Sequence, residues 1–172
     1  MLTESVIAFL ERYTPPPPAN APVGERQSGV VPYAIVEGTP VFLLVTSRQR
    51  GHWIFPKGRI PERMTPWQSA AREAYDEAGV EGAVATEPIG SYRAWKTRGM
   101  RRMVIEVEMY PLRVERQLDA WRETGERYRH WVTLAEAARL ITNKQIVEVV
   151  RSFARTLREA GAQLPEAADR IA

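Results

Sequence analysis

From Trp53 to Val80 the chain reads WIFPKGRIPERMTPWQSAAREAYDEAGV, and the order of residue types inside this stretch decides the fold. Thr65, Pro66 and Gln68 make a helix start. The hydroxyl accepts from a free amide, the proline suits the first helical position, and the glutamine reaches back to the cap. Gly79 supplies the stop, so the spacing predicts a helix over 66–78. Ala70, Ala71, Ala74 and Ala78 give that helix small residues that permit close packing on a sheet. Glu73 and Glu77 lie one turn apart and Asp76 follows Glu73 by three, so the three carboxylates share one side. Like charges at this spacing repel by about 0.2–0.5 kcal/mol per pair. Asp76 and Glu77 also face the negative end of the helix dipole, at about 0.3–1 kcal/mol each when exposed. A helix selected for stability alone would not carry them. A hard divalent cation such as Mg2+ removes both objections, because it prefers carboxylate oxygens and keeps positions open for water and phosphate. The competing reading is an acidic surface patch partly offset by Arg72.

Working outward, Gly29 to Val36 and Val41 to Ser47 are β-branched and apolar, and Glu37-Gly38-Thr39-Pro40 between them reads as a hairpin. Met103 to Tyr110 alternates: Met103, Ile105, Val107 and Met109 face one way, while Val104, Glu106, Glu108 and Tyr110 face the other. Thr133 with Glu136 predicts a short capped helix. Thr142 with Gln145 predicts the start of a longer one, in which Ile146, Val149, Val150, Phe153 and Leu157 form an apolar stripe opposite a solvated face of Arg151, Arg155 and Arg158. Leu2 to Arg12 fits a short amphipathic helix within 1–14. Pro15 to Pro18 forbid its continuation, which makes 15–26 a stiff, proline-rich linker. The domain proper is then 27–160, including the C-terminal helix, and 161–172 is a tail.

The chain has 172 residues, 44% of them hydrophobic and 26% charged, which suits one globular domain. Its longest apolar runs, 6–10 and 41–45, are far short of the ~20 residues that cross a bilayer. The start of the sequence lacks the basic leader and apolar segment of a secretory signal, so the expectation is a cytoplasmic protein without a membrane span. Zero cysteines exclude disulfides and thiolate nucleophiles, and two histidines make an imidazole metal site improbable. Any metal is held by oxygen. The net charge of +3 hides a segregation: Arg48, Arg50, Lys57 and Arg59 fall in one acid-free stretch, and Arg93, Lys96, Arg98, Arg101 and Arg102 in another. Those nine leave 15 bases against 21 acids elsewhere. Two readings stand, a pair of solvated basic stretches or a site for a polyanion.

Gly58, Met64 six positions later, and Arg72-Glu73-Ala74-Tyr75-Asp76-Glu77-Ala78-Gly79-Val80 together resemble the Nudix box, G-x5-E-x7-R-E-U-x-E-E-x-G-U, where U is a bulky apolar residue. Gly58, Arg72, Glu73, Glu77, Gly79 and Val80 match it. Met64 stands in place of the first glutamate, Asp76 shortens a later one, and Ala74 is a small version of U. The approach Trp53-Ile54-Phe55-Pro56-Lys57-Gly58 is similar to the branch containing diphosphoinositol polyphosphate and diadenosine polyphosphate hydrolases. Leu118-Asp119-Ala120-Trp121 and Arg127-Tyr128-Arg129-His130-Trp131 are similar to a later segment of that branch. The resemblance covers Gln27 to Ile141.

The resemblance implies an α/β chain of the Nudix fold, a mixed β-sheet sandwiched between α-helices. It also implies a Mg2+-dependent or Mn2+-dependent hydrolase that cleaves a diphosphate linkage in a polyphosphorylated small molecule. The family's metal ligands map onto Glu73, Asp76 and Glu77. Arg72 would orient these carboxylates, making Glu73, Glu77 and Arg72 the catalytic set, and Gly58 would let the backbone approach the metal closely. The cation would neutralise the diphosphate and orient attack by water on phosphorus. Glu106, Glu108, Glu123 and Glu126 all stand as candidates for the general base. Methionine at 64 can neither brace an arginine nor bind metal through water, and Glu62 is the nearest carboxylate that could substitute. Read with the charge segregation, Arg48, Arg50, Lys57, Gly58, Arg59, Arg93, Lys96 and Arg98 are the substrate-binding candidates. Trp53, Tyr92 and Trp95 belong either to the core or to a surface that stacks on bases. The alternatives are an RNA 5′-end or nucleotide-sugar pyrophosphohydrolase and a catalytically weakened Nudix module that binds polyphosphate. RNA is the less favoured partner, and oligomeric state stays open.

Overall fold

A computed structural model of the chain describes residues 15–48 and 51–162. The elements run β1 (Val23–Val36), β2 (Thr39–Thr46), β3 (Trp53–Ile54), β4 (Lys57–Arg59), α1 (Pro66–Glu73), a π-helical turn (Ala74–Ala78), β5 (Val80–Val84), β6 (Gly90–Arg98), β7 (Arg101–Gln117), β8 (Arg129–Thr133), α2 (Leu134–Leu140) and α3 (Lys144–Ala162). Eight strands form one mixed sheet with a central order β3-β2-β1-β7-β5, while β4 pairs with β1, β6 with β7 and β8 with β2. The expected hairpin joins β1 and β2 through Glu37 and Gly38, both at positive φ (48° and 77°). This two-residue turn has a twist that matches the strands it connects. β1 runs parallel to β7, with Gln27 opposite Val107, and the other pairings are antiparallel.

Successive strand residues point to opposite faces, and each face meets helices. Val31, Phe42, Leu44, Ile105, Val107 and Met109 pack with Ile146, Val150 and Phe153 of α3. Val30, Leu43, Val45, Tyr110 and Leu112 pack on the other side with Ala70, Ala74 and Ala78. The alternation read from Met103 to Tyr110 is therefore correct, and Tyr110 enters the second core. Sheet faces covered on both sides give the sandwich that the resemblance implies. Among the described residues no helix is long and apolar enough to cross a membrane.

Three boundaries differ from expectation. β1 begins at Val23, inside the stretch read as a linker, and residues 15–21 are tied down along β6. The Arg93 guanidinium donates to the carbonyls of Pro18 (3.0 Å), Ala19 (2.6 Å) and Ala21 (3.0 Å), and Trp95 Nε1 donates to Pro15 O (3.1 Å). α3 starts at Lys144 rather than Thr142: Asn143 Oδ1 accepts from the Gln145 amide at 2.9 Å. The Gln145 side chain accepts from Arg93 N at 2.8 Å instead of capping the helix. The expected helix over 66–78 is α-helical only to Glu73 and then widens into the π turn. The helix expected within 1–14 and residues 163–172 of the tail lie outside the described residues, while 161 and 162 still belong to α3.

Candidate active site

The site is assembled by tying a short strand and a helix to β1. β4 pairs with β1 so that Ser28 lies opposite Gly58. The buried Ser28 hydroxyl donates to Pro66 O and so fixes the start of α1 against the same strand. The capping box forms as read: the Gln68 amide donates to Thr65 Oγ1 at 3.3 Å and the Thr65 amide to Gln68 Oε1 at 2.9 Å. At the other end Gly79, at φ 63°, donates to the Ala74 and Tyr75 carbonyls. Trp121 Nε1 donates to Glu77 O at 3.1 Å, and Arg129 Nη1 to Ala78 O at 3.0 Å, with the Arg129 guanidinium 4.1 Å from the Trp121 ring centre. A cation bound to the terminal carbonyls offsets the dipole that made the last-turn carboxylates unfavourable.

A cleft of about 550 Å³ opens beside this helix, lined by Glu73, Asp76, Glu77, Lys57, Gly58, Arg59, Arg72, Arg48, Arg122, Glu123 and Glu126 among others. Glu73 lies against Gly58, where an added Cβ would overlap its carboxylate. Burial, followed by the charges of Asp76 and Glu123, raises the Glu73 pKa. Among the described residues its carboxylate has no hydrogen-bond or ion-pair partner. Glu77 is 6% exposed, and burial pushes its pKa up to about 7 against the opposing charge of Arg127. Glu77 Oε2 accepts from the Lys57 amide at 3.3 Å, while Oε1 accepts from Arg127 Nη2. Burial lowers the Lys57 pKa, opposed by Glu77, and Lys57 Nζ donates to Gln27 Oε1 at 3.1 Å.

Asp76 also lines the cleft, but two arginines engage it. Its Oδ2 lies 3.5 Å from Arg72 Nε and 3.1 Å from Arg122 Nη1. The cause is the π turn, whose wider winding advances each residue by less than the ~100° of an α-helix. Asp76, three residues on, is therefore rotated toward Arg72 and Arg122 while still lining the cleft, whereas Glu77 stays nearer the face of Glu73. Arg72 accordingly pairs with Asp76, and among the described residues it makes no hydrogen bond or ion pair with Glu73 or Glu77, acting on Glu73 through its charge alone.

An unpartnered carboxylate against a glycine backbone, with a second desolvated carboxylate beside it, is a donor set for a hard, oxygen-seeking cation, so the residues fit Mg2+ or Mn2+. Glu73 and Glu77 could hold the ion. Among the described residues no group of three acids or histidines is gathered closely enough to enclose one. Such a site matches Mg2+, which takes one or two carboxylates and leaves its other positions to water and phosphate.

Of the substrate-binding candidates, Arg48, Lys57, Gly58 and Arg59 line the cleft, and Arg50 lies outside the described residues. Lys96 reaches its edge indirectly: Nζ is 2.7 Å from Glu25 Oε1, and Glu25 Oε2 is 3.6 Å from Arg59 Nε. Two assignments need correction. Arg93 is consumed by the carbonyls of residues 18–21, and Arg98 is exposed at the end of β6 and does not line the cleft. Glu106 approaches Arg26 and Arg93, and Glu108 accepts from Tyr110 Oη, so Glu123 and Glu126 are the base candidates that face the cleft. Glu62 is exposed and neither it nor Met64 lines the cleft. Tyr92 is core, Trp95 is covered by Arg102 at 4.2 Å, and Trp53 packs against His130. Sequence reasoning gave no role to Arg122 and Arg127. The Arg127 to Trp131 cluster was the available signal, but nothing local says where its guanidinium goes.

Carboxylates and cations gathered on one cleft in this way suit enzymes that handle phosphoanhydrides, whose substrates need both a metal and positive side chains. The chain belongs to the Nudix family: the NUDIX domain model matches residues 26–153, and the protein is a pyrophosphohydrolase of that family. It is 29% identical to Nudix hydrolase 13, mitochondrial, of Arabidopsis thaliana over 78% of this chain and 75% of that one. It is 30% identical to human diphosphoinositol polyphosphate phosphohydrolase 3-beta over 59% of each. A C. elegans Ap4A hydrolase binary complex superposes over 78% of this chain and 98% of that one, with a TM-score of 0.61 and 20% identity, a likeness of fold. Members of the family generally use a divalent metal such as Mg2+.

Proposed function

We propose that this enzyme hydrolyses a diphosphate linkage in a polyphosphorylated small molecule, of the diadenosine polyphosphate or diphosphoinositol polyphosphate type. The observation that carries this reading is that the cleft holding Glu73 and Glu77 is also ringed by Arg48, Lys57, Arg59, Arg72 and Arg122. Five cations exceed what a single phosphate needs. A bound Mg2+ or Mn2+ would neutralise charge on the diphosphate and acidify water. Glu73 and Glu77 would hold that ion. Lys57, half-buried and lining the cleft, binds the phosphates next to the scissile bond, and Arg48, Arg59 and Arg122 bind those farther out. Glu123 faces the cleft with Oε1 3.7 Å from Arg48 Nη1 and takes the proton of the attacking water. The leaving phosphate carries the bonding electrons away.

The test is phosphate release from diadenosine polyphosphates, diphosphoinositol polyphosphates, nucleoside triphosphates and ADP-ribose, with Mg2+ or Mn2+ and with chelator. Affinity is expected to rise with phosphate number and to fall steeply between low and high salt, because charges at the rim are screened within about 10 Å at 0.1 M ionic strength. Equal rates on short and long phosphate chains at every ionic strength would refute the assignment of the rim. The exposed cations Arg98, Arg101 and Arg102 on the β6–β7 hairpin favour a second reading, an RNA 5′ end as substrate. Competition by RNA separates the two.

Met64 gives a further expected result. Wild-type enzyme should require millimolar Mg2+, and Met64→Glu should lower the Mg2+ concentration giving half-maximal rate. An unchanged metal requirement would mark position 64 as a packing site.

A further inference from the structure

With Met64 in place of a glutamate and Arg72 drawn to Asp76, the box lacks an internal brace for its buried carboxylate. Arg127 stands in that place from outside the box. It is the one buried arginine among the described residues, 7% exposed, and each nitrogen of its guanidinium serves a different segment. Nη1 donates to Thr46 O, the end of β2, at 2.7 Å; Nη2 donates to Glu77 Oε1; Nε donates to Glu123 Oε2. The chain between Trp121 and Arg127 is folded tightly enough to make this fit: the amides of Glu126 and Arg127 both donate to Glu123 O, at 3.0 and 3.2 Å. Trp121 meanwhile anchors the same turn to Glu77 O.

We infer that Arg127 is the positioning residue of this site, a guanidinium that holds the helix carboxylate Glu77 and the loop carboxylate Glu123 in fixed relation to each other and to β2. Each acid has one oxygen engaged by Arg127 and the other on the cleft side, where Glu77 Oε2 meets the Lys57 amide and Glu123 Oε1 lies toward Arg48. Arg127 thus acts on the chemistry through those two acids and does not itself line the cleft. A lysine cannot reproduce this. Its single ammonium lacks the planar fork that reaches three acceptors at once. The inference rests on the proposed metal-dependent hydrolysis for its meaning, and the melting and Mn2+ arms of its test do not depend on knowing the substrate.

The experiment compares wild type with Arg127→Lys by thermal melting, by Mn2+ binding to the substrate-free protein followed by electron paramagnetic resonance, and by kcat and KM. The charge-conserving variant is expected to melt near wild type, to bind Mn2+ about 10-fold more weakly and to lose about 100-fold in kcat, the range seen when groups orienting metal ligands are removed. Its KM should change little, since the cations at the rim are untouched. A folded Arg127→Lys with wild-type Mn2+ binding and kcat overturns the inference. If that variant does not fold, Glu123→Gln decides: Mn2+ binding should fall severalfold when one arm of the guanidinium is released, and unchanged binding overturns the coupling. Wild-type protein that binds Mn2+ but hydrolyses nothing in the substrate panel refutes the proposed activity alone, and the Mn2+ measurements still decide the role of Arg127.

Discussion

Glu77→Gln is expected to lower turnover at least about 100-fold with the fold intact, because it removes a charge needed to hold the cation and position the attacking water. The amide has nearly the same shape, and its carbonyl oxygen can still accept from Arg127 or from the Lys57 amide. What it loses is the negative charge. An active Glu77→Gln enzyme would remove Glu77 from the metal site. The same variant has a second signature in metal-free protein. Burial raises the Glu77 pKa to about 7 from an ordinary value of 4.5, so between those values the folded state holds a proton that the unfolded chain has released. Stability then falls as pH rises from 4.5 toward 7 and levels off above. Thermal melts in chelator should show this slope in wild type and a shallower one in Glu77→Gln, where Glu73 still contributes, and saturating Mg2+ should flatten it in wild type.

Gly58→Ala is expected to separate activity from stability. The added Cβ would overlap Oε1 and Cδ of Glu73, which form the far end of a flexible side chain, so the carboxylate can swing aside and the sheet is preserved. The backbone at 58 is in ordinary strand register opposite Ser28 and carries no positive φ. Melting should therefore shift by only a few degrees, as for about 1 kcal/mol or less in a domain of this size. Turnover should fall about 100-fold, since a displacement near 1 Å in a reacting constellation has that effect. Wild-type turnover in Gly58→Ala would show that Glu73 is not placed by contact with the strand. A cooperative loss of melting would show instead that the glycine serves packing.

The two-sided strands and the helix start were legible because they depend on neighbouring residues. Thr65 and Gln68 meet through one turn of backbone, and Met103, Ile105, Val107 and Met109 are sorted by the pleat alone. The π turn was not legible, since over one turn Glu73 and Glu77 share a face in either winding and only Asp76 reports the difference. Charge segregation located the polyanion site only in part. Lys57 and Arg59 adjoin the box and are carried to the cleft with it. Arg93 belongs to an equally basic stretch, yet three carbonyls brought from residues 18–21 take up its donors. Arg127 is the hardest case, because its three acceptors come from a strand end, a helix and a loop that only the finished fold brings together.

The parallel pairing of β1 with β7 has a kinetic consequence. Gln27 and Ser28, which anchor Lys57, Gly58 and the helix start, lie on a strand whose neighbour begins at Arg101. Closing so long a loop must precede most of the contacts that reward it, and topologies dominated by distant pairings fold in roughly milliseconds to seconds rather than microseconds. The β1–β4 pairing that floors the cleft spans only about 30 residues, but β1 takes its central place in the sheet only when β7 joins it, so refolding of activity is expected to track that slow pairing.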